Sequence, residues 1–451
     1  MTGLDRRLGP FDAAVIVVSN AIGIGIFTTP GIVAGMLPNP AAMLGVWALG
    51  GALAAAGALA YAELAARRPL AGGEYVYLRE SFGGLAAFLT GWTAFVAGFS
   101  GASAAGAVGI AVYLERFVPG AGNAAAIASW RAGPLALTVS VRALVAMAII
   151  LALALIHARG LGPGRVIQNG LTFLKVGALA LFVIAGFTVS SAHVPAASVS
   201  GPVRLDSWLM ALVPVMFSYT GWNAATYVAE EIRDPERNLP RALALGTVTI
   251  VVLYLALNAL YLRVVPRDAL AGSIGAGELA AGRLFGSSAA AVFAAVAIVI
   301  ILGSMSAMTL AGPRVYFAMA RDGAFFPAAA RVHSRYHTPA VAILAQAAWG
   351  CVLVLSGTFE QLLTYTGFAV ILFAALAVLS LFLVRRRGEQ ERTFRAWGYP
   401  WLPALFCAVS FAVVVNAIVR TPGVTLAGLG VMAVGIPLYW WMRRRSAVPT
   451  T

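Results

Sequence analysis

Apolar runs longer than about 18 residues recur along the whole chain, and each is long enough to cross a bilayer as a helix. Only 11% of the 451 residues are charged, against about 25% in soluble domains. The pattern therefore predicts an all-α polytopic membrane protein with about twelve transmembrane helices. The expected spans cover roughly residues 11–36, 40–66, 84–117, 137–156, 166–188, 207–229, 241–263, 286–320, 339–356, 360–384, 402–419 and 424–442.

The net charge of +14 comes almost entirely from arginines in the short segments between the apolar runs. Arginines are concentrated in alternate segments, and such enrichment marks the cytoplasmic side of a membrane protein. Both termini are therefore predicted to be cytoplasmic. Because the positive charges mark which loops face the cytoplasm, they reflect the orientation of the chain in the lipid bilayer. No nucleic-acid partner is therefore expected. The first apolar run is too long for a signal-peptide core and predicts a retained helix.

Two of the expected spans contain residues that suit a helix interior badly. The stretch SNAIGIGIFTTPG (19–31) combines three glycines with a proline, and FSYTGWN (217–223) interrupts the sixth span. The runs at 84–117 and 286–320 are too long for one upright span. The two interrupted spans are the first and the sixth, and the two overlong spans are the third and the eighth. In each pair the second member thus comes five spans after the first.

This offset of five predicts the leucine-transporter fold of many secondary transporters, with a 5+5 inverted repeat and broken helices 1 and 6. Repeat one would cover about residues 11–188 and repeat two about 207–384. Two additional helices would follow at about 402–442, all within a single transmembrane transporter domain.

A helix broken at mid-membrane exposes backbone groups that lipid cannot satisfy, so the break is expected to line a polar cavity. The N–H groups of Ile24, Gly25 and Ile26 would bind a carboxylate, as the start of a helix favours anions. Carbonyl groups near Ala21, Phe217, Ser218 and Thr220 would bind an ammonium group. The alternative is that these glycines only allow close helix packing. The predicted substrate-binding residues are Ala21, Ile22, Gly23, Ile24, Gly25, Ile26, Phe217, Ser218, Tyr219, Thr220 and Gly221.

None of the 17 acidic residues is expected near the middle of a span, and all four histidines are expected outside the spans. An intramembrane protease would need such residues, so an enzyme is not expected. HSRYH (333–337) is interpreted as a solvated loop, and neither a metal nor a cofactor is expected. A cationic substrate would need a buried carboxylate, so a zwitterion is favoured.

Lys175 is the only lysine and lies inside the fifth expected span. Its side chain could extend to the membrane surface. Alternatively, it could contact the carbonyl groups of the first break, together with Ser304 or Ser306 on the eighth span. In that position it would replace a sodium ion or act as a titratable group.

Four stretches resemble a known family: GIGIFTTPG (23–31), YAELAARRPLAGGEYVYLRESFG (61–83), FSYTGWNAATYVAEEIRDPERNLPRAL (217–243) and RTFRAWGYPWLPALF (392–406). The chain resembles the amino acid–polyamine–organocation superfamily, and within it bacterial relatives of the L-type amino acid transporters. The resemblance implies transport of an amino acid by alternating access in the bacterial cytoplasmic membrane.

By the same resemblance, Phe217 would close over the substrate and Asn223 would be a polar gate residue. Lys175 falls near the position that sodium-coupled relatives give to an ion, which implies sodium-independent transport. Thr220 stands where many members have glycine and would favour smaller substrates. The charged stretch at 230–243 is interpreted as a cytoplasmic gating loop.

The favoured function is secondary active transport of a neutral amino acid, by exchange or by proton coupling. The alternatives are a carrier of another small amine (ethanolamine, a polyamine or a cationic amino acid) and a channel, which the internal repeat disfavours. Cys351 and Cys407 both lie in apolar runs, so no disulfide-linked heavy chain is expected. The sequence does not indicate an oligomeric state.

Overall fold

The computed structural model describes residues 6, 8–132, 135–159, 164–189, 202–336, 338–356, 359–388 and 394–446. Most of these residues are helical. The helices of the first half are α1 (Pro10–Ala21), α2 (Gly25–Met36), α3 (Pro40–Arg67), α4 (Glu74–Phe82), α5 (Gly84–Thr93), α6 (Phe99–Leu114), α7 (Val141–Ala158) and α8 (Gly164–Thr188). Those of the second half are α9 (Leu205–Tyr219), α10 (Pro235–Val264), α11 (Arg267–Leu270), α12 (Ala276–Phe285), α13 (Ser287–Arg321), α14 (Ala340–Ser356), α15 (Phe359–Arg386), α16 (Trp401–Arg420), α17 (Pro422–Ala433) and α18 (Gly435–Ser446).

Within these ranges, seven helical segments are long and apolar enough to cross a membrane, and the bent pair α1–α2 makes eight if it counts as one span. The prediction of an all-α polytopic membrane protein is thus confirmed. The number of twelve spans stays a prediction. Large apolar side chains on the outer helix faces, such as Leu181 and Val292, are about two-thirds exposed, as expected for surfaces that contact lipid.

Both predicted helix breaks are present. The chain bends by 42° between α1 and α2. The second break follows α9, where residues 220–223 form a turn before a 3₁₀ helix at Ala224–Glu231. Gly221 has a φ of +102° there, and a Cβ atom would lie 2.7 Å from the backbone nitrogen of Ala21. Only glycine therefore allows the two broken segments to approach this closely.

The broken helices lie at the centre of the bundle. Helix α1 packs against α10, α13 and α8, while α2 packs against α9. Helix α6 contacts α13 and α7 on another side. All residues of α1 from Ala13 to Ala21 are buried, including the polar Ser19 and Asn20, so the first break is surrounded by protein.

The third expected span is continuous but irregular. Helices α5 and α6 are joined by a π-helical turn at Ala94–Gly98. The Trp349 indole donates to the carbonyl oxygen of Val96 (2.8 Å), and the Tyr316 hydroxyl donates to that of Ala94 (3.2 Å). Such turns are frequent at functional sites, and Ala94 and Gly98 line a cavity described below. A short hairpin, β1 (Ala128–Ala132) and β2 (Leu135–Val139), follows α6.

Two expectations about the connecting segments are wrong. The stretch at 230–243 is not a loop, because the 3₁₀ helix continues to Glu231 and α10 begins at Pro235. A proline is favourable at the first position of a helix, so this charge-rich stretch starts α10 instead of preceding it. His157 lies within α7, not outside the spans. His193, His337 and the residues 392–393 of the fourth family-like stretch lie outside the described residues.

Candidate functional site

The start of α2 carries a group of open backbone donors. The N–H groups of Phe27 and Thr28 both donate to the carbonyl oxygen of Ile24, at 3.1 and 3.2 Å. For the N–H groups of residues 23–26, by contrast, no acceptor is present in the described part of the chain. A helix N-terminus whose backbone N–H groups lack acceptors favours negatively charged ligands. The first break therefore presents open backbone donors within the protein interior.

A cavity of about 20 Å³ lies between the two breaks, which is room for about one water molecule. An amino acid can bind there only if the surrounding side chains move apart. Met305 and Met308 of α13 line the cavity and have flexible side chains suited to such movement. The other lining residues are Asn20, Ala21, Gly23, Ile24, Gly25, Ala102, Gly106, Phe217, Ser218, Thr220, Ile301 and Ser304.

The structure brings most, but not all, of the predicted binding residues to this cavity. Ile22, Ile26 and Tyr219 do not line it, and their side chains are buried in the surrounding core. The Tyr219 hydroxyl donates to the carbonyl oxygen of Trp47 at 3.1 Å. Gly221 lines a neighbouring cavity instead.

Gly23 and Gly25 are sites of close contact. A Cβ atom at Gly23 would lie 2.6 Å from Oγ of Ser304, and one at Gly25 would lie 2.7 Å from Cα of Ser218. No side chain fits at either place without displacement of its neighbour. The two glycines therefore set the distance between the first break and the helices that face it.

The hydroxyl of Tyr254, on α10, connects the two breaks. Its oxygen lies 2.7 Å from the carbonyl oxygen of Ala21 and 3.1 Å from that of Ser218. The Ser304 hydroxyl donates to the carbonyl oxygen of Asn20 at 3.2 Å. Sequence reasoning missed Tyr254 because a tyrosine in an apolar helix gives no sign of which backbone groups it will meet.

Lys175 is buried, with 1% of its surface exposed. Its Nζ lies 3.3 Å from the carbonyl oxygens of Ser19 and Ile22 and 3.4 Å from that of Ile300. The side chain thus contacts both the first broken helix and α13. In the described part of the chain it forms no salt bridge.

The two serines expected beside Lys175 are placed differently. Ser304 contacts the first break through the carbonyl group of Asn20, next to the segment that Lys175 contacts. Ser306 points elsewhere, and its hydroxyl lies 2.9 Å from Nε2 of His157. Ser306 is therefore not in the lysine's hydrogen-bonding environment.

A second cavity, of about 80 Å³, lies next to the first and contains Asn223. Its most polar member is Glu74, which is buried at 8% exposure although the sequence placed it in a loop. Oε1 of Glu74 accepts from the Tyr61 and Tyr227 hydroxyls at 3.0 Å and from the Asn223 amide at 2.5 Å. Burial raises the pKa of this carboxyl.

The local backbone explains why Glu74 is buried. Gly72 and Gly73 both have positive φ values, +117° and +53°, which turn the chain inward before α4. A Cβ atom at Gly73 would lie 2.7 Å from the ring of Tyr227. The adjacent glycines of the stretch at 61–83 are the sequence signal that could have indicated this approach.

A second carboxylate, Glu63, is fully buried near the end of α3. It accepts from the Arg67 guanidinium at 2.9 Å, from Arg385 at 2.6 Å and from the backbone N–H of Ala396 at 2.6 Å. These contacts connect α3, α15 and the segment before α16. Glu63 therefore has a structural environment, unlike Glu74, which lines a cavity.

Two broken helices that face each other across a buried cavity are an arrangement typical of secondary transporters. The sequence model of the amino acid permease family matches residues 8–441, and the chain belongs to that family.

Its relatives cover almost its whole length. The serine/threonine exchanger SteT of Bacillus subtilis is 28% identical over 99% of this chain and 98% of its own. The b(0,+)-type amino acid transporter 1 of Mus musculus is 27% identical over 93% and 84%. The large neutral amino acids transporter small subunit 2 of Mus musculus is 28% identical over 97% and 81%.

Family and relatives together show that this chain is an integral membrane amino acid transporter and not an enzyme. The resemblance to the amino acid–polyamine–organocation superfamily is confirmed. Cys351 and Cys407 are both free thiols.

Proposed function

We propose that this protein exchanges neutral, zwitterionic L-amino acids by alternating access. The observation that carries this proposal is the cavity between the breaks. Residues 23–25, whose N–H groups have no acceptor in the described part of the chain, line it together with Phe217, Ser218 and Thr220 from the interrupted end of α9. None of the described residues that line this cavity is charged. The substrate carboxylate would bind the N–H groups, and its ammonium group would bind carbonyl groups such as those of Ala21 and Phe217.

Sodium-independent transport is part of the proposal. A sodium ion would serve to neutralise carbonyl groups at the first break, and Nζ of Lys175 already lies within 3.3 Å of two of them. A fixed ammonium group can thus supply the positive charge that an ion would supply. We therefore assign Lys175 a role in coupling transport to the conformation of the first break, together with Ser304, which contacts the same break.

Small substrates are favoured. The cavity between the breaks is narrow, and Thr220 occupies part of its wall. One relative is named a serine/threonine exchanger, which agrees with substrates of this size. We therefore propose serine, threonine and alanine as the first candidates. Phe217, which also lines the cavity, would close over the bound substrate, and Asn223 would take part in the gate beyond it.

The proposal also covers the arrangement of the repeats and of the chain termini. Residues 11–188 and 207–384 are assigned to two inverted repeats, each beginning with a broken helix and each containing one overlong helix. Both termini are assigned to the cytoplasmic side of a bacterial cytoplasmic membrane, on the basis of the arginine distribution.

Uptake into sodium-free proteoliposomes tests this function. Radiolabelled serine is offered to vesicles loaded with unlabelled serine and to empty vesicles, with and without an inward proton gradient. An exchanger takes up label only into loaded vesicles. Uptake into empty vesicles that depends on the proton gradient would show a symporter, and an absolute requirement for sodium would overturn the role given to Lys175.

A further inference from the structure

Glu74 is a buried carboxylate that has no cationic partner among the described residues. Three neutral donors, from Tyr61, Tyr227 and Asn223, converge on its Oε1. Its Oε2 accepts from no other side chain that the structure describes, and no described residue forms a salt bridge with this group. An ionised carboxylate is costly to bury unless a positive charge compensates it. The site is therefore suited to a cation.

The cavity beside Glu74 adjoins the proposed substrate site. Asn20, Ala102, Thr220 and Met308 line both the 80 Å³ cavity and the 20 Å³ cavity between the breaks. These four residues thus form a shared wall between the proposed substrate site and the cavity that contains Glu74. Glu74 lies in the larger of the two cavities.

A second polar group in the same cavity is open for a ligand. Thr93, from α5, lines the cavity and is 3% exposed. Its hydroxyl has no hydrogen-bond partner in the part of the chain that the structure describes. A buried polar group without a partner is unfavourable. A ligand with several donors could bind the hydroxyl of Thr93 and the carboxylate of Glu74 together.

The chemistry of these groups favours an ammonium ion over a metal ion. Among the described residues there is no group of three or more His, Cys, Asp or Glu side chains that could hold a metal. An ammonium group carries three donors and one positive charge, and a carboxylate and a hydroxyl accept such donors well. Every amino acid substrate carries this group.

We propose that Glu74 and Thr93 form a second station on the α4 side of the breaks, which binds the ammonium group of the transported amino acid. This proposal rests on the transport function proposed above. The side-chain amide of Asn223, at the end of the second break, donates a hydrogen bond to the carboxylate of Glu74 and thereby orients it. The station would give the two faces of the membrane different apparent affinities for the same substrate.

The test compares the two faces in right-side-out and inside-out membrane vesicles. Glu74→Gln keeps an acceptor for Tyr61 and Tyr227 but removes the charge. We expect it to raise the half-saturating serine concentration about tenfold on the α4 side, the loss of one charge-assisted hydrogen bond. The opposite side should change less than about twofold. Glu74→Asp, which retains the charge, should restore much of the affinity.

Glu80→Gln is the matched control, because Glu80 lies on the same helix and pairs with Arg68 away from this cavity. It should leave both faces unchanged. An equal effect of Glu74→Gln on both faces, or none on either, would overturn the proposal. So would a loss in Glu74→Asp as large as in Glu74→Gln.

An amine that lacks a carboxylate tests binding at Glu74 and Thr93 independently of whether amino acids are transported. Propylammonium should raise the melting temperature of the purified wild-type protein and not that of Glu74→Gln, whether or not serine is transported. It should also compete with serine only from the α4 side. If propylammonium has no effect on the wild-type protein, the station does not exist. If it binds but serine is not carried, only the proposed function fails.

Discussion

The ammonium nitrogen of Lys175 lies 3.3 Å from the carbonyl oxygen of Ile22, the residue that follows the last turn of α1. The same nitrogen lies 3.4 Å from the carbonyl oxygen of Ile300 on α13. One buried positive charge thus connects the broken helix to its neighbour. Because a helix end presents partial negative charge on its carbonyl groups, this contact stabilises the break electrostatically.

Lys175→Ala should reduce transport by at least about tenfold while the protein stays folded, since the exposed carbonyl groups lose one charged partner. The measurement is serine exchange in sodium-free proteoliposomes, with monodispersity in detergent as the check on folding. Unchanged exchange in a folded variant would show that the lysine only fills space.

Gly25→Ala should abolish transport because its Cβ would lie 2.7 Å from Cα of Ser218 and push the two breaks apart. Gly35→Ala, on the same helix, is the control, since a Cβ there meets nothing within 4 Å. Its uptake should match the wild type, with stability equal or up to about 1 kcal/mol higher. Normal uptake by Gly25→Ala would contradict the close contact between the breaks.

Tyr254→Phe removes the hydroxyl between the carbonyl oxygens of Ala21 and Ser218. It should lower stability by about 1–3 kcal/mol, because buried carbonyl groups lose their donor, and it should also slow exchange. The comparison is Tyr261→Phe, two turns along α10. The Tyr261 hydroxyl is buried and has no partner among the described residues, so its removal should be neutral or stabilising. Equal melting temperatures of both variants would speak against the bridge.

Glu63→Gln should be the most destabilising of these changes, by about 3–5 kcal/mol, because the buried charge of Arg67 and the pairing with Arg385 lose their carboxylate. Glu80→Gln breaks a partly exposed pair with Arg68 and should cost at most about 1 kcal/mol. Thermal unfolding in detergent measures both. A melting temperature of Glu63→Gln within one or two degrees of the wild type would refute the structural role of Glu63.

Hydropathy and backbone chemistry predicted much of the fold. The expected second span at 40–66 matches α3 (Pro40–Arg67), and the eighth, at 286–320, matches α13 (Ser287–Arg321). Apolar length fixes where a helix can cross lipid, so these bounds can be derived locally. The glycines at 23 and 25 also predicted the first break, because their cost in a helix needs a compensating role.

Groups that act through distant contacts could not be derived in this way. The environment of Glu74 depends on contacts between α4 and the second break, since its partners Asn223 and Tyr227 are 149 and 153 positions away. Tyr254 is 233 positions from the carbonyl group of Ala21 that its hydroxyl meets. Local patterns report which residues are polar and buried, but tertiary packing decides which of them meet.

Binding of the substrate carboxylate by the first break is tested by competition for radiolabelled serine exchange in sodium-free proteoliposomes, with two analogues of alanine as competitors. Alaninamide lacks the carboxylate that would bind the N–H groups of residues 23–26, and lactate lacks the ammonium group. We expect alanine to compete strongly and each analogue to compete at least about tenfold more weakly, because each has lost one charge-assisted contact. Competition by alaninamide as strong as that by alanine would show that the broken first helix does not bind the substrate carboxylate.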